Sequence, residues 1–246
     1  MAKDGHRHVL AIGGLRGPER IGLNRQGAPL LLAYAARLSG ARSPRICLLN
    51  TAMGDDPSAY VRAYQLLGSL PGTHTHLQLF PMPNVSDPED LLLSQDVIFV
   101  GGGSVANMLA VWRVHGVDVI MRKAWQAGIV LSGVSAGAIC WFSGGTTDSF
   151  GVELRPFNDG LGMFAPSYCP HYDSEPGRRP LYQSLVGGGS LPAGIACDDG
   201  AAAHFIDDEL DAIVTDSAEA GGYFVERSAD GKALETVLEI RQLAGR

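Results

Sequence analysis

A Gly-Val-Ser-Ala-Gly pentapeptide at residues 133–137 places the tightest constraint on how this chain can fold. It follows an apolar run at 128–131 that is typical of a buried strand, and it precedes an apolar run at 138–142 that can open a helix. A strand, a sharp turn with Gly-x-Ser-x-Gly and a helix form the nucleophile-elbow pattern. The glycines suit a turn that is too tight for a Cβ on either side of the serine. Such a strained turn would project the Ser135 hydroxyl out of the sheet. The alternative is a glycine-rich connection with an incidental serine.

The first 145 residues alternate between strand-like and helix-like segments. The predicted strands are 8–12, 45–50, 76–80, 96–100 and 129–132, and the predicted helices are 29–38, 56–69, 88–93 and one that follows Gly103. That last helix has apolar residues at i, i+3, i+4 and i+7, namely Val105, Met108, Leu109 and Trp112. The alternation predicts an α/β fold with a mostly parallel sheet and helices on both faces.

The second part of the chain has a different pattern. Short, turn-bounded, strand-like segments occur at 163–168, 195–197, 201–206, 210–214 and 222–226. They predict a more antiparallel C-terminal extension of the same sheet. The sequence contains no linker-like stretch, internal repeat or low-complexity tract, so we expect a single α/β domain over residues 1–246.

Composition argues against several classes of partner. The net charge is −7 and the 19 Lys and Arg residues are scattered, which disfavours nucleic acid. No apolar stretch approaches the ~20 residues needed to span a bilayer, so no membrane partner is expected. The N-terminal residues are polar and lack a signal-peptide hydrophobic region. Together with four widely spaced cysteines, read as reduced thiols, this predicts a cytoplasmic protein.

The glycine-rich turns should lie near Ser135. Ligands of parallel sheets bind outside the carboxyl ends of the strands. The Gly13-Gly14 turn, the triple glycine at 101–103 and Ser135 each follow a predicted strand. We therefore expect all three at one edge of the sheet.

A serine nucleophile needs a base, and His171 is the leading candidate among seven histidines. It follows the predicted strand 163–168 directly, within Cys-Pro-His-Tyr-Asp at 169–173, where proline on one side helps to position it. The alternative is a histidine in a surface loop. Metal binding by Cys169, His171 and Asp173 is disfavoured because no second cluster supplies matching ligands.

A third group should orient the imidazole. Asp148, after two threonines, is the leading choice, and Glu153 is the next. Asp173 and Glu175 are weaker candidates. Because Asp is common in turns and at helix caps, Asp148 has a purely structural alternative.

Two donors are expected for an oxyanion. The N–H of Ala136 follows the serine directly, and the second donor could come from the turn at Gly102 and Gly103. That turn could instead be a plain connection or hold a phosphate. No lysine follows it and no Gly-x-Gly-x-x-Gly pattern is present, so nucleotide binding is disfavoured.

These motifs together resemble the peptidase E (α-aspartyl dipeptidase) family of serine peptidases. The resemblance is carried by Gly-Gly-Gly at 101–103 before an amphipathic helix, Gly-Val-Ser-Ala-Gly-Ala at 133–138, Thr-Asp at 147–148 and Pro-His-Tyr-Asp at 170–173. It extends from the Gly13-Gly14 turn to Asp-Asp-Gly at 198–200. It implies a flavodoxin-like, class I glutamine amidotransferase-like sheet.

The resemblance also implies roles for particular residues. Ser135 matches the nucleophile, His171 the base and Asp148 the acid position, while relatives with glutamate as the third member keep Glu153 open. Aspartate recognition in the family involves an arginine after the catalytic histidine, which Arg178 or Arg179 could match; an exposed loop or a helix start is the alternative for both.

The activity implied is hydrolysis of dipeptides or short peptides with an N-terminal aspartate, through an acyl-enzyme and without metal or cofactor. The alternatives are another serine acyl hydrolase, such as a cyanophycinase-like amidohydrolase or an esterase, and a non-catalytic binding module on the same fold. The expected partner is a small peptide substrate, and a homodimer is left open.

Overall fold

The structure, a computed structural model, describes residues 5–17 and 21–244. Part of the polar N-terminal stretch considered above, residues 1–4, lies outside these ranges. The helices are α1 (Leu30–Leu38), α2 (Pro57–Leu67), α3 (Pro88–Leu93), α4 (Val105–His115), α5 (Val117–Gln126), α6 (Ala136–Ile139) and α7 (Arg178–Gly187). The strands are β1 (His8–Ile12), β2 (Arg45–Leu49), β3 (Thr73–Leu77), β4 (Val97–Val100), β5 (Val130–Val134), β6 (Phe142–Thr147), β7 (Arg155–Phe157), β8 (Phe164–Cys169), β9 (Gly194–Cys197), β10 (Ala201–Ile206), β11 (Glu209–Thr215), β12 (Gly222–Arg227), β13 (Ala233–Val237) and β14 (Ile240–Gln242).

The larger sheet has eight strands in the order β14-β11-β10-β1-β5-β4-β2-β3. The five strands from β1 to β3 in this order are mutually parallel, and β10 and β11 continue the sheet in antiparallel fashion. The prediction of an α/β fold with a mostly parallel sheet and an antiparallel extension is therefore confirmed. The single-domain assignment stays a prediction.

Both faces of this sheet are covered. Successive residues of β1 point to opposite sides, so Val9 and Ala11 join an apolar cluster with α4 and α5, while Leu10 and Ile12 join a second cluster with α1. A parallel sheet of buried apolar strands requires this cover on each face.

The prediction that all later strands extend the large sheet is wrong, because several of them form a second sheet. It has six strands in the order β13-β12-β9-β8-β6-β7. Phe142, Phe164 and Tyr168 from this sheet lie in the same apolar cluster as α4 and α5. The second sheet thus packs against one face of the first, because its strands have their own apolar side to bury.

The segment after Ser135 also differs from the prediction. Helix α6 ends at Ile139, and the chain enters β6 at Phe142 instead of continuing as a helix. Trp141 and Phe142 are fully buried, as β-prone aromatic residues commonly are in a sheet core.

Local capping signals explain where some of the helices begin. Asp56 caps α2 by accepting hydrogen bonds from the N–H groups of Ser58 and Ala59, and Pro57 occupies the first turn. Ser104 caps α4 in the same way through the N–H of Asn107. No helix in the described ranges is long and apolar enough to cross a membrane.

A buried histidine pair lies on the α1 side of the large sheet. The Nε2 of His204 on β10 is 3.1 Å from the Nδ1 of His8 on β1, and the two rings are stacked. The Nδ1 of His204 is 3.1 Å from the Tyr34 hydroxyl and 3.3 Å from the Asp211 carboxylate. Burial, reinforced by His8, lowers the pKa of His204.

This pair predicts a loss of stability on acidification. In the unfolded chain His204 takes up a proton near its ordinary pKa of about 6.5, whereas in the folded chain it does so only at lower pH. The unfolded state therefore binds more protons below about pH 6.5, and the free energy of unfolding falls, by about 1–2 kcal/mol between pH 7 and pH 5. Urea unfolding of the wild type and of His204→Gln across this range should show a flatter pH dependence in the variant.

The matched control is His115→Gln, since His115 lies exposed at the end of α4. Its pH dependence should follow that of the wild type. Equal slopes for His204→Gln and the wild type would contradict the assignment of this loss to the buried pair.

Candidate active site

Ser135 lies at a strained turn between β5 and α6. Its backbone has φ 55° and ψ −115°, a conformation that non-glycine residues rarely adopt. A Cβ on Gly133 would lie 2.0 Å from the carbonyl oxygen of Gly137, and one on Gly137 would lie 2.3 Å from that of Val100. Both flanking glycines are therefore required by backbone contact, as the pentapeptide predicts.

The triple-glycine turn lies directly beside the serine. A Cβ on Gly102 would be 3.3 Å from the Ser135 Cβ and 3.8 Å from its Oγ. The N–H of Gly101 donates to Leu49 and that of Ser104 donates to Ala52, each at 2.9 Å. Within the described ranges, the N–H groups of Gly102 and Gly103 between these anchors have no backbone acceptor.

Ala136 is the first residue of α6, so its N–H has no acceptor within the helix. The helix start and the glycine turn thus leave donors close to the serine side chain. This is the arrangement that sequence analysis expects around Ser135.

The imidazole of His171 is held by a carboxylate that sequence analysis did not select. Its Nδ1 lies 2.7 Å from the Oδ1 of Asp199, and both side chains are about one-fifth exposed. Burial opposes ionisation of Asp199, but the hydrogen bond and charge of His171 outweigh it, and the pKa of Asp199 lies below its ordinary value. His171 itself has φ 53°, directly after β8.

The backbone of Asp199 is fixed on both sides. Its N–H donates to the Asp173 carboxylate at 2.8 Å, and its carbonyl accepts from the Nε of Arg16 at 3.1 Å. The turn at Gly14 runs against the same pair, since a Cβ there would lie 1.8 Å from the Asp199 Oδ1 and 2.6 Å from the His171 Nδ1.

The neighbouring Asp198 points elsewhere. Its Oδ2 accepts from the N–H of Gly221 at 2.8 Å and from the Tyr223 hydroxyl at 3.3 Å. Burial raises the pKa of Asp198 to about 6. The two adjacent aspartates thus have different hydrogen-bond partners and opposite pKa shifts, and of the two only Asp199 contacts His171.

The two acids selected from the sequence do not contact His171. Asp148 lies exposed in the turn after β6, at the wall of the cavity that also includes Ser135 and His171. Glu153 lies exposed in the β6–β7 connection and does not line that cavity. The expected contact of Asp148 or Glu153 with the imidazole is absent from the described residues, and the Nδ1 of His171 is bonded to Asp199 instead.

The signal for Asp199 was present in the sequence. It follows the predicted strand 195–197, and the rule that sites lie beyond the carboxyl ends of strands applies to it as it does to Ser135. Asp148 and Glu153, the two acids favoured from the sequence, both lie between Ser135 and His171 along the chain, whereas Asp199 follows both of these residues. The positioning role of Arg16 has no comparable local signal.

Ser135 and His171 share a cavity of about 330 Å³. Its walls carry polar and charged groups from the ends of several strands: Gly103, Ser104, Ser135, Asp148, Ser149, His171, Glu175 and Arg178. The expectation that the glycine turns and Ser135 gather at one edge of the sheet is confirmed by these contacts.

The two candidate arginines are separated. Arg178, the first residue of α7, is buried at the cavity wall, where it donates to the Thr146 carbonyl and to Glu175. Arg179 points away, over the rings of Tyr172 and Tyr223, and pairs with Glu235. Of the two, only Arg178 can meet a ligand in this cavity.

The residues considered as metal ligands have separate partners. The Cys169 Sγ lies 3.1 Å from the Thr146 hydroxyl, while His171 and Asp173 both hold Asp199. In the described ranges no three His, Cys, Asp or Glu side chains are grouped so that they could hold a metal ion.

Comparison with known proteins places this geometry in a family context. The model of peptidase family S51 matches residues 25–213. A Bacillus subtilis (strain 168) protein named uncharacterized peptidase YgaJ is 42% identical over 212 residues, which cover 85% of this chain and 90% of that protein. A peptidase E of Shewanella denitrificans is 30% identical over 99 residues, or 40% of this chain and 42% of that protein.

Solved structures share the fold. A peptidase from an acI-B1 Actinobacterium has a TM-score of 0.63 at 15% identity, over 94% of each chain. A putative peptidase E from Listeria monocytogenes EGD-e has a TM-score of 0.59 at 18% identity, over 84% of this chain and 97% of that one. With the family match over most of its length and the 42% identical relative, the chain described here belongs to peptidase family S51.

Proposed function

We propose that this protein is a serine exopeptidase that hydrolyses dipeptides or short peptides with an N-terminal aspartate. The observation that carries the proposal is the hydrogen bond from His171 to Asp199, because His171 lines the same cavity as the strained Ser135. In this proposal Ser135 is the nucleophile, His171 the general base and Asp199 the group that fixes the imidazole tautomer.

The first half-reaction forms an acyl-enzyme. The Ser135 Oγ attacks the scissile carbonyl carbon while His171 takes the hydroxyl proton. The oxyanion receives hydrogen bonds from the N–H groups of Ala136 and of Gly102 or Gly103, donors worth about 3 kcal/mol each in comparable sites. The C–N bond then breaks, and His171 returns the proton to the leaving amine.

The second half-reaction uses water. His171 removes a proton from a water molecule, which attacks the acyl carbon. The ester bond to Ser135 breaks, and the proton passes from His171 to the serine oxygen. Asp199 stays ionised in both halves and stabilises the imidazolium, in keeping with its lowered pKa.

The charges around the cavity support an N-terminal aspartate. This residue carries an ammonium and a carboxylate close to the scissile carbonyl. Arg178 offers a guanidinium to the carboxylate, and the exposed Asp148 offers a carboxylate to the ammonium. Asp148 thereby changes from an orienting acid to a substrate-binding residue, which would favour peptides with a free amino terminus.

The central prediction concerns Ser135→Ala. The substrates are dipeptides with a common second residue and with Asp, Glu, Asn, Ala or Leu at the N-terminus. We expect the wild type to hydrolyse the dipeptide with N-terminal Asp, and the kcat of the variant on it to be about 10⁶-fold lower. Release of the second residue, followed by chromatography, measures this.

Further substrates and a binding measurement separate the alternatives. Ser135-dependent turnover of esters or of aspartate side-chain amides in place of aspartyl dipeptides would move the activity to another acyl hydrolase. Binding without covalent reaction at Ser135 would move it to a binding module.

Asp199→Asn and Asp148→Asn should have different kinetic effects. Because Asp199 orients the base, its amide variant should lose about 10²–10⁴-fold in kcat with little change in KM. Because Asp148 binds the ammonium, its amide variant should raise KM about tenfold and keep most of kcat. The opposite pattern in steady-state kinetics would restore Asp148 to the triad.

Gly14→Ala should uncouple the triad without touching any of its members. The added methyl group would occupy the space of the Asp199 Oδ1 and the His171 Nδ1, so the pair has to separate. We expect at least a hundredfold slower reaction of Ser135 with a fluorophosphonate probe, measured by mass spectrometry.

Gly17→Ala is the matched control, since no atom of the described residues lies within 4 Å of a Cβ at that position. It should react at the wild-type rate. A Gly14→Ala protein with an unchanged rate would show that the contact of His171 with Asp199 is dispensable.

A further inference from the structure

The guanidinium of Arg178 is already engaged in the free protein. Only 3% of this side chain is exposed. Its Nη1 donates to the Thr146 carbonyl at 2.6 Å, and its Nε donates to the Glu175 carboxylate at 2.6 Å. Within the described part of the chain, no residue accepts a hydrogen bond from its Nη2.

These contacts decide how another carboxylate could bind. A guanidinium binds a carboxylate bidentately along one of two edges, Nε with Nη2 or Nη1 with Nη2. Thr146 takes a nitrogen of the second edge, and Glu175 takes a nitrogen of the first. A bidentate ligand on the Nε and Nη2 edge has to displace Glu175.

Glu175 is the partner that can move. Its side chain is 42% exposed and lines the cavity of Ser135, whereas Arg178 is fixed by burial and by the backbone of β6. The Glu175 N–H donates to the His171 carbonyl at 3.3 Å, and its carbonyl accepts from the Arg178 N–H at 2.9 Å. The backbone holds Glu175 in place while its carboxylate faces solvent.

We propose that Glu175 is an internal competitor for the carboxylate of the substrate. In the free protein it occupies the Nε edge of Arg178, and the side-chain carboxylate of an acidic N-terminal residue exchanges with it. Glu175 thereby sets how strongly the cavity selects acidic over neutral N-terminal residues. This inference rests on the proposed peptidase function, in which Arg178 receives that carboxylate.

The charge balance of the cavity agrees with this exchange. With Glu175 paired to Arg178, Asp148 adds an unpaired carboxylate to the wall of the free cavity, which disfavours an approaching anion. Exchange replaces one carboxylate on Arg178 by another, so the substrate gains little from the arginine until Glu175 has moved. Without the charge of Glu175, the same arginine would bind an acidic side chain more tightly.

The test compares Glu175→Gln with its parent in a Ser135→Ala background, where no turnover interferes. The glutamine keeps an acceptor for Arg178 but removes the competing charge. Binding of Asp-Leu and Ala-Leu is measured by calorimetry at fixed ionic strength. We expect Asp-Leu to bind about tenfold more tightly to Glu175→Gln, with a matching rise in its preference over Ala-Leu.

Glu89→Gln is the matched control. Glu89 pairs with Lys123 at 2.6 Å and is also 42% exposed, but it lies outside the cavity lining. Its substitution should leave both affinities unchanged. If Glu175→Gln unfolds at a lower temperature than its parent, Glu175→Ala provides a second variant, for which the same gain in Asp-Leu affinity is expected.

The outcomes separate this inference from the proposed function. Unchanged or weaker binding of Asp-Leu in both Glu175 variants, or no binding of Asp-Leu by any variant, overturns the inference. A tenfold gain in a protein whose Ser135 form hydrolyses no peptide would support the role of Glu175 as a competitor and reject the peptidase. Ser135-dependent hydrolysis of Asp-Leu without a gain in affinity would support the peptidase and reject the role of Glu175 as a competitor.

Discussion

Backbone segments at the site approach one another more closely than any side chain would permit, and the arrangement of the reactive groups depends on this contact. Gly133 and Gly137 let the turn around Ser135 close against itself and against the end of β4. Gly102 brings the next turn to the serine side chain, and Gly14 brings the end of β1 to the pair formed by His171 and Asp199. Side chains at Gly133, Gly137 and Gly14 would collide with these neighbours, so the positions of Ser135, His171 and Asp199 depend on these three glycines.

Sequence patterns predicted the central sheet well, because buried parallel strands have continuous apolar runs and the helices between them have a clear period. They did not predict the second sheet, since short strands such as β8 and β9 carry no information about which neighbours they pair with. The segment after the elbow illustrates the same limit. The apolar run 138–142 is compatible with a helix or a strand, and packing of Trp141 and Phe142 in the core decides for the strand.

The partner of His171 could not be identified from the residue types of the motif. Asp148 and Asp199 both follow strands at the same edge of the molecule, and nothing in the residue types distinguishes them. The two aspartates differ in which strand end lies beside them. The end of β9 lies beside the end of β8, which carries His171, so an aspartate there faces the imidazole, whereas the turn after β6 leaves Asp148 at the cavity wall. Strand pairing, which no local sequence pattern encodes, therefore determines which aspartate contacts His171.

The position of β1 also affects the order in which the protein can be completed during synthesis. This strand is made before the other described strands, yet its neighbours in the sheet, β5 and β10, are made much later. Until β10 emerges, one edge of β1 has no partner, and Asp199, which immediately precedes β10, has only just become available to His171. A nascent chain therefore contains the turn at Ser135 long before His171 and Asp199 can meet. The order of the strands along the chain thus makes the joining of these groups a late event, which needs all strands from β1 to β9 to have been made.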